Sequence, residues 1–369
     1  MKRLMVIVWS LVFVLVVSIL GLEMYAKYLK VSEALSSKEN AVEVTEKDES
    51  IITLSVTAVG DCTFGNDITI PYAGSFDEVF ERNGENYYYF FENVQEIFEE
   101  DDLTIVNFEG VLTDKGQRQI KQYAFKGDPR YVNILTGSGV EAANIANNHT
   151  EDYGTDGLEQ TKEIFENRDI SYFGTDEYAI RNVNGIKVGL VGTNALNYIG
   201  KDQFISMLEK VKEEEPDLII ASFHWGEEKA ELPNAFQKEL AYLAIDNGVD
   251  LVIGHHPHVI QGIEKYKGKY ILYSLANFSF GGNTVPSDKD TFIFNQKFSF
   301  KDGKLMEESE AKVIPCSVSS VSTHNDFKPT PLIGEEFERV EEKIRKRSES
   351  MEGIEDVEFV ELQSDSDDL

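Results

Sequence analysis

Cysteine is close to absent. Cys62 and Cys316 are the only two in 369 residues, which excludes every zinc motif built on paired cysteines and leaves open at most one disulfide. Basic residues are also scarce: 35 lysines and arginines face 66 aspartates and glutamates, a formal net charge of -31. Such a surface repels the phosphates of nucleic acid, so nucleic acid is not expected as a partner. An anionic substrate would have to be drawn by a local positive site, and bound metal ions would provide one. Histidine is rare too, with six in all, yet three of them fall within Gly254-His255-His256-Pro257-His258. That cluster follows the apolar run Val249-Asp250-Leu251-Val252-Ile253, where a buried strand should end and a loop begin. Imidazole is the commonest protein ligand for zinc and iron, and a strand end holds ligands rigidly while leaving an ion open to substrate.

There is one long apolar run. Residues 4–22 are uncharged, follow Lys2 and Arg3, and have the length to cross a hydrocarbon core as a helix. The sequel Glu23-Met24-Tyr25-Ala26-Lys27 lacks a small-residue cleavage site, so residues 1–29 are expected to be an uncleaved membrane anchor, with a signal peptide as the other reading. Positive charge before the run and an acidic chain after it predict a single pass through the cell membrane with the bulk of the chain extracellular. Residues 30–50 are polar and read as a tether.

From Ile51 the pattern alternates. β-Branched or apolar runs at 51–59, 103–106, 140–146, 186–191, 218–223 and 249–253 are interleaved with helix-like stretches at 92–100, 157–167, 203–214 and 235–247. This predicts an α/β domain with a largely parallel sheet covered on both faces. Later, 291–300 and 304–314 flank Lys301-Asp302-Gly303 and predict a hairpin. Residues 335–347 predict a helix, and the end from Ser348, with nine acids and no base, predicts disorder.

Ligands in parallel sheets gather beyond the carboxyl ends of the strands. Five strands here end in Asp61, in Glu109, in Asn148-His149, in His224 and in His256-Pro257-His258. Asp61, Glu109, Asn148, His149, His224, His256 and His258 exceed the roughly three or four protein ligands of one ion and suit two divalent ions, manganese, iron or zinc. Paired ions activate water and stabilise charge on a transferring phosphoryl or acyl centre. Asn148 would offer a carbonyl oxygen and His149 a proton to a leaving group, making these two the catalytic candidates. A turn or helix N-cap also explains Asn147-Asn148-His149, and a turn explains Asp61 taken alone. His255 and Asn277 are expected to orient the ligands. The most basic stretch, Lys115, Arg118, Lys121, Lys126 and Arg130, lies between two ligand motifs. It reads either as a solvated loop face or as an anion site, in which Lys126 and Arg130 are the substrate-binding candidates.

Six motifs in order, Val59-Gly60-Asp61-Cys62-Thr63, Asn107-Phe108-Glu109, Ala146-Asn147-Asn148-His149 with Tyr153-Gly154, Phe223-His224-Trp225-Gly226, Gly254-His255-His256-Pro257-His258 and Tyr273-Ser274-Leu275-Ala276-Asn277-Phe278, resemble the CapA family of capsule and poly-γ-glutamate synthesis proteins. The resemblance implies a fold similar to the calcineurin-like metallophosphoesterases, an αββα sandwich forming one globular domain over 51–316, with 317–369 as an extension ending in the acidic tail. It also implies a role in making, exporting or attaching such a polymer. The expected partners are an anionic polymer or its precursor, the membrane, and other membrane subunits of a capsule synthesis complex. The chain departs from the phosphoesterase pattern where Asp-x-His becomes Asp61-Cys62-Thr63 and where the bridging carboxylate becomes Asn107-x-Glu109.

The leading expectation is a metal-dependent hydrolase working on phosphoester or amide bonds. A non-catalytic polymer-binding or assembly subunit and a general metallophosphoesterase are the alternatives.

Overall fold

The computed structural model describes residues 24–27, 30 and 51–362, and a compact unit begins at Ile51. The expected membrane-crossing run and most of the tether lie outside the described residues. Among the described residues no helix is long and apolar enough to cross a membrane.

The chain makes two large sheets. The first centres on β1 (Ile51–Thr63), which takes β2 (Leu103–Phe108) as a parallel neighbour, followed outward by β5 (Ala142–Asn144) and β6 (Ser171–Phe173). A short side ladder, β3 (Val111–Leu112) with β4 (Lys126–Gly127), and helices α1 (Phe76–Arg82), α2 (Gln95–Glu99), α3 (Val132–Thr136) and α4 (Gly154–Glu166) fill the connections. The second sheet runs β7 (Tyr178–Val183), β8 (Ile186–Asn194), β9 (Leu218–His224), β10 (Leu251–His255), β12 (Lys269–Leu272) and β11 (Ile263–Tyr266). Its crossovers are α5 (Lys201–Glu213) and α6 (Ala235–Asp246). The chain then returns to the first sheet as β13 (Asn277–Phe280), β14 (Asp290–Lys301), β15 (Lys304–Ser317) and β16 (Thr330–Pro331), and closes with α7 (Gly334–Ser348) and β17 (Val357–Phe359).

The two sheets face each other across one apolar layer, to which β1 gives Leu54 and Val56, β14 gives Phe294, β8 gives Leu190 and β10 gives Ile253. Phe76, Phe98, Ile134 and Phe165 of α1 to α4 cover the outside of the first sheet, and Phe204 and Leu240 of α5 and α6 cover the second. The order of layers is helix, sheet, sheet, helix. Central strands buried on both faces explain why they read as continuous apolar runs and not as alternating ones. The expectation of one largely parallel sheet is corrected to two mixed sheets. Each keeps a parallel centre and carries antiparallel strands at its side, delivered by the hairpins β7–β8, β11–β12 and β14–β15. The turns Asn184-Gly185, Lys267-Gly268 and Asp302-Gly303 all hold both residues at positive φ, the backbone that matches strand twist in a two-residue hairpin.

Regular elements continue past the expected boundary at 316. β15 runs through Cys316 to Ser317, α7 places Val340 and Ile344 in the layer between the sheets, and β17 lies parallel on β15 with Val357 opposite Ala311. Disorder was expected from Ser348 because of its acids, yet those among the described residues face outward, Asp356 to Lys265 at 2.6 Å and Glu358 to Lys312 at 3.5 Å, while Val357 is buried. Residues 363–369 lie outside the described residues. Cys62 and Cys316 are both buried and unbridged, and burial pushes both thiols up.

Candidate metal centre

The carboxyl ends of β1, β2, β5, β9 and β10 converge at one edge of the two sheets. At β1 the local sequence is dictated by closeness: a Cβ on Gly60 would stand 2.1 Å from the Ala276 carbonyl oxygen, so only glycine allows the approach. That approach lets Asp61 N donate to Ala276 O at 2.9 Å and sets Asp61 opposite Asn277 on one side and Asn107 on the other. Glu109 follows β2 with its N–H on Cys62 O at 2.8 Å. After β5, Asn147 is the turn-former: its Nδ2 donates to Phe108 O at 2.7 Å, and its Oδ1 accepts from His149 N at 2.9 Å. Asn148 is thereby turned toward His224, whose Nε2 lies 2.7 Å from Asn148 Oδ1. Beyond β10 the chain is strained, with His256 at φ 96 and His258 at φ 55. Left-handed backbone in non-glycine residues persists where the surroundings over-determine it, and it clusters at functional sites.

Ligand atoms of Asp61, Glu109 and His224 lie within 4.8 Å of one another, and all three residues are buried. Asp61 Oδ1 accepts from Asn107 Nδ2 at 3.0 Å, and Oδ2 lies 3.1 Å from His258 Nδ1. His258 Nδ1 also faces Asn277 Oδ1 at 2.8 Å. With two acceptors before it, Nδ1 carries the hydrogen, and Nε2 is left for other chemistry. His224 Nε2 is 3.5 Å from Glu109 Oε1, and the His224 and His256 rings stand 4.7 Å apart. Several buried atoms here have no hydrogen-bond partner among the described residues: Glu109 Oε2, His256 Nδ1 and both nitrogens of His255. His255 Nδ1 comes within 3.1 Å of Asp61 Oδ1 but off the hydrogen-bonding direction, so that contact is electrostatic only. Orphaned donor atoms converging on two carboxylates and several imidazoles fit a divalent cation, since an unsatisfied buried polar group is otherwise costly.

The charges respond to this crowding. Burial works against ionising Asp61, but His255 and His258 outweigh it and hold the carboxyl well below its usual range. Burial and the Asp61 charge push Glu109 well above its usual range. His224 is driven well down by burial and by His256, and His256 is driven down to about 4 by burial and by His258. His258 rises to about 9: burial opposes this, and the carboxylates of Glu109 and Asp61 prevail.

His149 stands apart from the Asp61, Glu109 and His224 group. Its ring packs on Phe125 at 4.3 Å, and its Nδ1 lies 2.7 Å from Asp152 Oδ2. Asp152 accepts in addition from Lys121 Nζ at 2.6 Å and from Phe125 N. Burial lowers His149 from its ordinary value despite Asp152. Sequence reasoning passed over Asp152, for which the spacing His149-x-x-Asp152 was the signal available, and quoted Asn107 within the motif Asn107-x-Glu109 without giving it a role. Of the substrate candidates, Lys126 lies over the Tyr153 ring at 5.3 Å, and Arg130 is exposed and held by Asp128 at 3.0 Å and Glu85 at 3.2 Å. Neither lines the cleft of about 580 Å³ that opens beside His149 and His258. Trp225 is a wall residue, fully buried with its Nε1 donating to Tyr273 O at 2.9 Å.

Comparison with known proteins points one way. The chain is 31% identical over 255 residues to the capsule biosynthesis protein CapA of Bacillus anthracis, covering 62% of this chain and 60% of that one. It is 30% identical over 251 residues to the PGA biosynthesis protein CapA of Bacillus subtilis, covering 62% and 63%. A probable polyglutamine synthesis accessory protein of Mycobacterium tuberculosis is 28% identical over 208 residues, covering 48% and 55%. The chain thus spans about three fifths of the length of the first two relatives. The family model described as bacterial capsule synthesis protein PGA_cap matches residues 55–282. That span takes in every strand end described above, and the chain belongs to this family of bacterial capsule synthesis proteins.

Proposed function

We propose that the chain is a membrane-anchored, outward-facing protein of capsule or poly-γ-glutamate synthesis whose strand-end centre is a metal-dependent hydrolase site on a fold similar to the calcineurin-like metallophosphoesterases. It acts on an anionic polymer or its precursor by phosphoester or amide cleavage. The observation that carries this reading is the buried convergence of Asp61, Glu109 and His224 beside donor atoms that have no partner. A role in assembly alone would not require that unsatisfied polarity, which costs stability where nothing binds it.

Asp61, Glu109, Asn148, His224, His256 and His258 are the residues that would hold one or two divalent ions. Bound there, the ions supply a water of lowered pKa and positive charge for a phosphoryl or acyl centre. The remaining work falls to the chain itself. Asp152 fixes the His149 ring through Nδ1, so that Nε2, when the imidazole carries its second proton, is free to give that proton to a leaving group, and the ring is left neutral. Phe125 covers the face of that ring and keeps water from it. Asn107 bridges Asp61 and Glu109 through its Nδ2, at 3.0 and 3.4 Å, and is itself fixed by Asn144 at 2.9 Å. The two carboxylates therefore keep their spacing whichever ion they hold.

Elemental analysis of the full chain purified without chelator, beside His256→Ala combined with His258→Ala, tests the reading. About two equivalents of manganese, iron or zinc are expected in the wild type, with loss in the double variant. A wild type that takes up none of these metals on addition would sink the hydrolase reading and favour the polymer-binding or assembly role.

A further inference from the structure

The cleft beside the centre is walled by residues of β13 and of several loops, among them Phe280, Tyr123 and Ser287, together with Glu228 and Lys229. Lys229 is the one lysine or arginine in that wall. Its side chain is exposed, and among the described residues it makes no ion pair or side-chain hydrogen bond. The cations of the 115–130 stretch are engaged, Arg118 by Asp67 at 2.6 Å, Lys121 by Asp152 at 2.6 Å and Arg130 by Asp128 at 3.0 Å, while Lys126 lies over the Tyr153 ring at 5.3 Å. Asp288, across the cleft, is balanced by Lys343 at 3.2 Å.

Lys229 is also built into the centre's own framework. Its backbone sits at φ 63, and its N–H donates at 2.8 Å to Pro257 O, the residue between His256 and His258. Glu228 beside it adds negative charge felt by Glu109, His256 and His258, on the side where a cation would bind. Apart from His258, which faces Asp61 at 3.1 Å, the lysine is left as the positive group of the cleft in a chain of net charge -31. An anion entering against that overall field needs such a local attractor.

We propose that Lys229 is the specificity-determining residue of this cleft and holds a carboxylate or phosphate of the substrate while the bond to be cleaved lies over the centre. The assignment rests on the reading of the cleft as the substrate's way to that centre. To test it, the full chain, stripped of metal by chelator and at low ionic strength, is titrated calorimetrically with glutarate and, separately, with inorganic phosphate. Lys229→Gln should weaken the anion that binds by about five- to tenfold, the scale of one ion pair in a partly enclosed site. Lys229→Arg should keep it, and Lys115→Gln, remote and paired with Glu163 at 4.0 Å, should leave it unchanged. The stronger of the two anions identifies the group recognised. Equal binding in wild type and Lys229→Gln, or no binding of either anion by the wild type, overturns the assignment. Metal uptake measured on the same preparations separates the two readings. A chain that takes up no metal yet shows the Lys229 dependence fails as a hydrolase and keeps its anion site, and a chain that takes up metal without that dependence does the reverse.

Discussion

The strand-end centre and the basic stretch of residues 115–130 are both rich in charge, and they differ in how that charge is satisfied. In the basic stretch every cation has its counter-ion or an aromatic face: Lys115 with Glu163, Arg118 with Asp67, Lys121 with Asp152, Lys126 over Tyr153, Arg130 with Asp128 and Glu85. At the centre, atoms of Glu109, His255 and His256 are buried without hydrogen-bond partners among the described residues. A paired group is spent on holding the fold. An unpaired buried one stands ready for a ligand, because its desolvation cost is recovered only when something binds. Charge density along a sequence therefore points to a site less well than the residue that folding leaves unsatisfied.

Asp152 is where the two regions meet, since it joins Lys121 of the stretch to His149 of the centre. Asp152→Asn keeps the shape and removes the charge, which leaves the Lys121 ammonium without its counter-ion next to a buried amide. The expected cost is about 3 kcal/mol, the lower end for breaking a buried pair because the Lys121 side chain keeps 30% of its exposure. A urea unfolding curve reads the loss, and an unchanged midpoint would show that the pairing in the basic stretch carries no weight. Metal content should stay at the wild-type level, because Asp152 lies outside the Asp61, Glu109 and His224 group.

A smaller effect separates the metal-free centre from the paired stretch by pH. The interaction of Asp61 with His255 and His258 lowers the first and, together with Glu109, raises His258 to about 9. A raised folded-state value for His258 means stability fully present below its ordinary value near 6.5 and lost as pH rises through about 9. The lowered Asp61 gives the acid limb of the same interaction, present above the ordinary carboxylate range near 4 and lost as pH falls below it. Chelator-treated protein should lose stability between pH 6.5 and 10 on this account, by an upper bound of about 3 kcal/mol that solvent at the part-exposed His258 ring reduces. Metal-loaded protein should not follow it, because an imidazole bound to an ion has already lost its proton. Thermal midpoints with and without chelator across that range check the difference, and parallel curves would count against the centre as a cation site.

Much of this contrast was legible beforehand, and the reason lies in what short-range pattern encodes. The endings of β1, β2, β5, β9 and β10 could be read because each apolar run stops at a polar residue, and parallel sheets bring such ends to one edge. The Asp302-Gly303 turn could be read from its dipeptide. Asn184-Gly185 carries the same kind of signal, yet it escaped notice because β7, at the sheet's side, is mostly half-buried and lacks a clear alternation. β17 was hidden by the acids around Val357 and Phe359. That Arg130 meets Glu85 as well as the neighbouring Asp128, and that Lys229 meets no counter-ion among the described residues, depends on groups distant in sequence. No local pattern holds that information.

Arg130→Ala is the smallest test and bears on the basic stretch alone. Its guanidinium is exposed, and its two ion pairs, at 3.0 Å to Asp128 and 3.2 Å to Glu85, are open to water and salt. Exposed pairs of this kind contribute about 0–1 kcal/mol, because the attraction is screened and two long side chains must be held in place. The variant should unfold within about 0.5 kcal/mol of the wild type, bind metal as before, and keep the glutarate or phosphate affinity assigned to Lys229. If anion binding fell as far as in Lys229→Gln, the substrate's charge would be read at Arg130 in spite of its pairing, and the distinction between engaged and free charge would no longer locate the site.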